Sequence, residues 1–216
     1  MNLSSHLSDE ELVDLMREGH EEAFVTLYRR RQPDIYKFVF GMSNNRITTE
    51  DVTQEAFIKL MHHANRFDST RGSVRSFLYG IARNCLLQHF ERERPYVPYE
   101  AEISENGSSA LQNALRPDVN NPLAELTTAA LLDDLRRAVQ TLPIKYREAV
   151  VLCDLQEMDY VHAAAVMQCP VGTVRSRLHR GRELLLQKLQ SSAEVNGKAV
   201  KKRAYCRGTD YGMQRV

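Results

Sequence analysis

The chain of 216 residues has no tryptophan and only four cysteines, Cys85, Cys153, Cys169 and Cys206. No two of them stand at the close spacing of a zinc site, and nothing implies a disulfide framework. Cys85 and His89 lie four apart on an expected helix, where a buried thiol is the more ordinary reading than a metal ligand. Long apolar runs are missing: no stretch approaches the roughly 18 residues of a membrane span. Met1 to Glu11 is polar and acidic, with no apolar signal core, so a cytoplasmic location is expected. The alternation of a half-buried strand is absent as well. So are carboxylate clusters, metal-ligand spacings and phosphate loops, and neither an enzyme nor a metal or cofactor site is expected. Charge of one sign is also lacking, since 29 Lys and Arg face 28 Asp and Glu for a net charge of +1.

What the chain does have is apolar residues at helical spacing. Hydrophobic residues make up 43%, enough for a core, and the expected class is all-α with two small domains. Ser8-Asp9-Glu10-Glu11 has the spacing of a capping box and opens a first helix that ends near Gly19. Further helices are expected over about 21–42, with Pro33 inside and able to bend it, 49–65 and 74–94. Between 95 and 122 the character changes: Pro95, Pro98, Pro117 and Pro122 punctuate a stretch with Gly107, Ser108 and Ser109. That segment reads as a mobile linker between domains at 8–94 and 123–190. In the second domain helices are expected over 123–140, 143–154 and 160–167, with Pro143 at a first helical position. Residues 191–216 read as a loosely ordered basic tail.

The near-neutral total hides a local asymmetry. From Thr173 to Lys188 the chain carries Arg175, Arg177, Arg180, Arg182 and Lys188 against Glu183 alone. Wound at 100° per residue, Val174, Leu178, Gly181, Leu185 and Leu189 form one stripe, with Arg175, Ser176, His179 and Arg180 opposite. One face packs and the other meets a polyanion. The short apolar segment 160–167 and the connector Gln168-Cys169-Pro170 precede it, which completes a helix-turn-helix. Arginine suits guanine edges because its fork meets two acceptors, and Thr173 and Ser176 can serve bases or phosphates.

Two further constellations lie in the first domain. On the helix from Thr49, Val52, Ala56, Phe57, Leu60 and Ala64 make a core arc. Asp51, Gln54 and Glu55 lie on another face, with Ile58, Met61 and His62 beside them. Carboxylates alone usually mark a solvated face, but Ile58 among them suggests an interface with a basic partner. On the next helix Val74, Phe77, Leu78, Ile81, Cys85 and Leu86 form the buried side, with Ser76, Tyr79, Arg83, Asn84 and Leu87 around the other. Arg66, Arg71 and Arg75 flank them. Aromatic rings among cations suit single-stranded nucleic acid, and Tyr79 and Asn84 are the expected base contacts.

In this order the motifs resemble the extracytoplasmic-function sigma factors, small members of the sigma-70-like family of bacterial transcription initiation factors. Asp51-Val52-Thr53-Gln54-Glu55-Ala56-Phe57-Ile58-Lys59 resembles the polymerase-binding signature of region 2. Phe77-Leu78-Tyr79-Gly80-Ile81-Ala82-Arg83-Asn84 resembles its promoter-melting helix. The stretch from Leu142-Pro143 to Leu155, then Tyr160 and Cys169 to Leu178, resembles region 4. Phe77 stands where the family commonly has tryptophan, and His162-Ala163 where Glu-Ile is usual.

The resemblance implies core RNA polymerase and promoter DNA as partners. Asp51, Gln54, Glu55 and Ile58 would meet the clamp helices of the largest polymerase subunit. Arg66, Arg71, Ser73, Tyr79, Arg83 and Asn84 would capture and flank flipped bases of the −10 element. Thr173, Arg175, Ser176, His179 and Arg180 would read the −35 element as duplex, with the second domain near the polymerase flap. The linker would thread toward the RNA exit path, and an anti-sigma factor, membrane-bound in some cases, is a further expected partner. Two rival readings remain: a stand-alone helix-turn-helix regulator, which leaves the acidic patch unexplained, and a nucleic-acid enzyme with such an appendage, for which no catalytic cluster speaks.

Overall fold

Ser8 starts the first helix as its sequence requires: its Oγ accepts from the Glu11 amide at 3.2 Å, and Glu11 Oε2 accepts from the Ser8 amide at 2.7 Å. This is a computed structural model that describes residues 6–93 and 125–207, with side chains over 6–93 and 132–190. Helix α1 (Asp9–Arg17) buries Leu12 and Val13. Asp9 at its start, only 6% exposed, is fastened to α2 (Glu21–Ser43) through Arg30 and Arg31. A buried carboxylate costs free energy unless it is paired, and here two guanidinium groups supply the pairing. Helix α2 continues through Pro33 and stops at Asn44, which takes the left-handed conformation at φ 49°.

Helix α3 (Arg46–His63) begins three residues before the expected Thr49. The reason is Asn45, whose Oδ1 accepts from the amides of Ile47 at 2.9 Å and Thr48 at 3.2 Å. An asparagine cap satisfies amides that otherwise lack partners, and so fixes the boundary. Helix α4 (Val74–Glu93) lies against α2 and α3. Leu27, Ile35, Phe38, Phe57, Leu60, Leu78 and Leu86 make the centre of this first bundle. Phe77, in the position where tryptophan is common, packs on Phe67 with ring centroids 5.6 Å apart.

The second bundle contains α5 (Glu125–Gln140), α6 (Ile144–Val150), α7 (Tyr160–Met167) and α8 (Val171–Arg207). Pro143 is the cap of α6 and not its first helical residue, because its ψ of 139° is extended. A π-helical turn, Val151–Leu155, prolongs α6. Asp159 caps α7, and Gln168 ends it in the left-handed conformation. The turn to α8 is the expected helix-turn-helix. Val174 and Leu178 are buried, and Gly181 lets α8 approach α6. A Cβ at Gly181 would stand 2.7 Å from Val150 Cγ2 and 3.2 Å from the Tyr146 carbonyl. The tail was expected to be loose from residue 191, but the backbone of α8 stays helical to Arg207. The expected linker at 95–122 lies outside the described residues, as do Cys206's side chain and residues 208–216.

The two bundles pack against each other. Gly41 of α2 sits beside Val151, where a Cβ would come within 3.0 Å of Val151 Cγ1. Arg147 of α6 fills the corner. It donates to the Met42 carbonyl at 2.8 Å, to Leu142 O at 3.1 Å and to the Gln140 carbonyl. A cation there meets the open carbonyl ends of α2 and α5. Desolvation pushes its pKa down to about 10, so it stays charged at neutral pH.

Candidate nucleic-acid interface

The reading helix presents the face its sequence requires. Arg175, Ser176, His179 and Arg180 are exposed on α8, and Thr173 is half-buried at its first turn. Leu178 and Leu185 are buried behind them. The exposed cations are pre-placed by local contacts. The Arg175 guanidinium lies over the Tyr160 ring, 5.5 Å from its centroid. Glu183 takes Arg180 at 2.9 Å and His179 at 3.3 Å. Its carboxyl is held below the usual range, mainly by the hydrogen bond from Arg180. Arg182 is turned away, to Asp154 at 2.5 Å, and is no part of this face.

The α3 patch is also open to solvent. Asp51 and Gln54 are exposed, while Ile58 is 51% and Met61 49% exposed. Glu55 is half-buried and tied to Lys59 at 2.7 Å. Val52, Ala56, Phe57, Leu60 and Ala64 are buried on the opposite arc, as expected. Ile58 and Met61 thus stand half in water beside these acids.

The third group divides. Arg66, Arg71 and Asn84 are exposed, and Ser73 is half-buried with its Oγ 3.2 Å from that of Ser76. The loop that carries the two arginines is pinned from below. Arg17 donates to the Ala64 carbonyl at 3.0 Å and to the Phe67 carbonyl, and Asp68 caps the short turn Ser69–Arg71. The sequence reading missed Arg17, which lies about fifty positions away from the loop it holds.

Three expectations need correction. Tyr79 is only 1% exposed and not a free stacking platform. Its ring packs on Phe38 with centroids 5.2 Å apart, and its hydroxyl donates to Gln156 Oε1 at 3.0 Å. Burial pushes its phenol upward in pKa. Arg83 is largely covered as well, paired with Glu148 of α6 through Nε–Oε1 and, at 3.4 Å, Nη2–Oε2. Ser76 is buried too. Over Tyr79 and Arg83 the second bundle lies on α4, a contact that helical periodicity within α4 could not reveal. Gln156, Glu148 and Arg147 were therefore missed. The visible signal was Glu148, an acid next to the buried pair Ala149 and Val150.

Comparison with known proteins agrees with this layout. The sigma-70 region 2 family matches residues 27–96, and the sigma-70 region 4 family matches residues 132–185. The ECF RNA polymerase sigma-E factor of Escherichia coli (strain K12) is 34% identical over 87% of this chain and 97% of its own length. The ECF RNA polymerase sigma factor SigW of Bacillus subtilis (strain 168) is 28% identical over 82% of this chain and 95% of its own. Among solved structures, CnrH in complex with the cytosolic domain of CnrY superposes with a TM-score of 0.62 at 21% identity, covering 85% of this chain and 97% of that one. The sigma factor RpoE of Bartonella quintana, in complex with the anti-sigma factor NepR, gives 0.58 at 24% identity over 76% of this chain and 94% of that one. At those identities the two structures bear on the fold alone.

Proposed function

The chain belongs to the extracytoplasmic-function sigma factors of the sigma-70 family, and from that membership we propose how its surfaces divide the work of promoter-specific initiation. It is a transcription initiation factor of a family that is not enzymatic. Residues 8–94 act as the unit that holds core RNA polymerase and the −10 element, and residues 123–190 as the unit that reads the −35 element.

In this reading Asp51, Gln54, Glu55 and Ile58 dock on the polymerase clamp. Arg66, Arg71, Ser73 and Asn84 receive the −10 strand. Arg83 and the Tyr79 hydroxyl join them once the second bundle moves off. Melting follows because an unstacked base gains a pocket, which offsets a few kcal/mol of lost pairing. Thr173, Arg175, Ser176, His179 and Arg180 enter the major groove of the −35 duplex. An anti-sigma factor, the kind of partner named for the Bartonella relative, would control it, and the site of action is the cytoplasm. No helix among the described residues is long and apolar enough to cross a membrane.

The observation that carries the reading is Ile58, half-exposed between acids on a helix whose other face is core. A stand-alone regulator has no use for it. The test is capture of core polymerase by the full chain. Asp51→Arg and Gln54→Ala should each reduce capture while leaving duplex DNA binding by α8 intact. Unreduced capture in both would place the docking surface elsewhere.

A further inference from the structure

The loop between α3 and α4 has almost no core of its own. From residue 65 to 73 only Phe67 is buried, and Gly72, at φ 149°, is a pivot that glycine permits. The shape of the loop is imposed from α1, at both ends. At the near end Arg17 uses all three guanidinium nitrogens. Its Nε donates to the Ala64 carbonyl at 3.0 Å, its Nη2 to the Phe67 carbonyl, and its Nη1 to Asp14 Oδ1 at 2.6 Å. The same guanidinium lies over the Phe67 ring, 5.9 Å from its centroid, and Phe67 packs in turn on Phe77 of α4. At the far end Glu10 Oε1 accepts from the Val74 amide at 3.3 Å, where α4 begins. Glu10 and Arg17 lie about two turns apart on one face of α1, so a rigid helix sets the distance between the anchors. Helix α1 is itself fixed, because Asp9 holds Arg30 at 2.8 Å and Arg31 at 2.5 Å on α2.

We propose that Glu10 and Arg17 are positioning residues for strand capture: α1 clamps both ends of the 64–73 loop, so that Arg66 and Arg71 meet a single strand in one preset arrangement. The proposal rests on the loop and Asn84 being the −10 site. Neither Glu10 nor Arg17 touches the strand. A loop held in one shape binds without first being ordered, and it rejects a wrong base because it cannot rearrange to meet it. A loop released from α1 still has its two cations, so it keeps its attraction for phosphate and loses its choice of base. Arginine is required at position 17 because its fork reaches two carbonyls at once, where lysine offers a point charge.

The test uses holoenzyme, assembled from the full chain and core polymerase, with a randomised single-stranded DNA library. Affinity and the base preferences of the captured strands are measured at several salt concentrations. Wild-type holoenzyme should enrich a short motif. Arg17→Gln, Arg17→Lys and Glu10→Ala should each cut that enrichment by about tenfold, because a freed loop must be ordered again on binding. The slope of affinity against salt should stay as in wild type, since no phosphate contact is removed. Val39→Ala, in the core of α2, is the stability control: it should lower the melting temperature and keep the enrichment. Undiminished enrichment in Arg17→Gln and Glu10→Ala overturns the proposal. So does rescue by Arg17→Lys with a shallower salt slope in Arg17→Gln, which would make Arg17 a phosphate contact. An equal loss of enrichment in Val39→Ala overturns it too, by assigning the effect to stability. Should circular dichroism show that the Arg17 variants are misfolded, Glu10→Ala, at a half-buried position, decides alone. Wild-type holoenzyme that captures strands without base preference would remove the −10 assignment of the loop, and the clamp with it. Enrichment by wild type and variants alike rejects the clamp and leaves that assignment standing.

Discussion

Glu183 sets how readily the reading face yields its cations. Its carboxylate holds Arg180 and His179 at the surface, where such pairs are weak and easily exchanged. Glu183→Gln should therefore strengthen binding to promoter duplex by a few-fold. Arg180→Ala should weaken it by about 1–3 kcal/mol if the side chain makes a bidentate base contact. Fluorescence anisotropy on duplex DNA checks both, and a loss in Glu183→Gln would mean that the pair is needed to aim Arg180. The thiols are quieter. Burial pushes Cys153 up to about 11 and raises Cys85 as well. Since the thiolate is the reactive form, both should alkylate with iodoacetamide at pH 8 far more slowly than free cysteine. Rapid labelling of either would show that the bundles open often. Gly181 is a packing residue: alanine gains about 1 kcal/mol of helix propensity but drives a Cβ into the buried Val150, an overpacking of about 1–3 kcal/mol. The clash wins because the Tyr146 backbone blocks the other side, so Gly181→Ala should lower the melting temperature. The double variant with Val150→Ala should recover part of the loss due to that clash.

At the scale of elements, boundaries follow caps. Asp159 accepts from the amides of Val161 at 3.0 Å and His162 at 2.9 Å at the start of α7. The His162 amide, then its side chain, holds the Asp159 carboxyl below its ordinary value. A carboxyl depressed in the folded state stabilises that state above its unfolded pKa, roughly 3.9, and the benefit fades as pH falls through the folded value. Asp159→Ala should cost about 1 kcal/mol at pH 7, with the gap to wild type closing below about pH 3.9. A gap that persists at pH 2 would assign the loss to packing. The same logic explains what the sequence made legible. Ser8 with Glu11 announced α1, and the stripe Val174, Leu178, Gly181 and Leu185 announced the buried side of α8. Asn45 was overlooked because the apolar arc of α3 begins only at Val52, so periodicity placed the start too late. Pro143 was shifted by one position because proline suits both the cap and the first turn.

For the whole molecule, what one helix shows of itself was readable, and what another bundle lays over it was not. Asp51, Gln54, Ile58, Arg175, His179 and Arg180 are exposed as their periodicity required. Tyr79 and Arg83 had the same periodic standing and are covered, because Gln156 and Glu148 come from more than 60 positions away. Arg147, which joins the ends of α2 and α5, belongs to the same class of long-range contact. The packed molecule thus leaves Arg175, His179 and Arg180 open to solvent and covers Tyr79 and Arg83. Run-off transcription by the full chain with core polymerase on a library of randomised promoters measures promoter selection most directly. The account predicts transcripts from defined start sites sharing two spaced sequence elements, and their loss with Asp51→Arg. Failure to associate with the polymerase, or initiation without sequence preference, would contradict it.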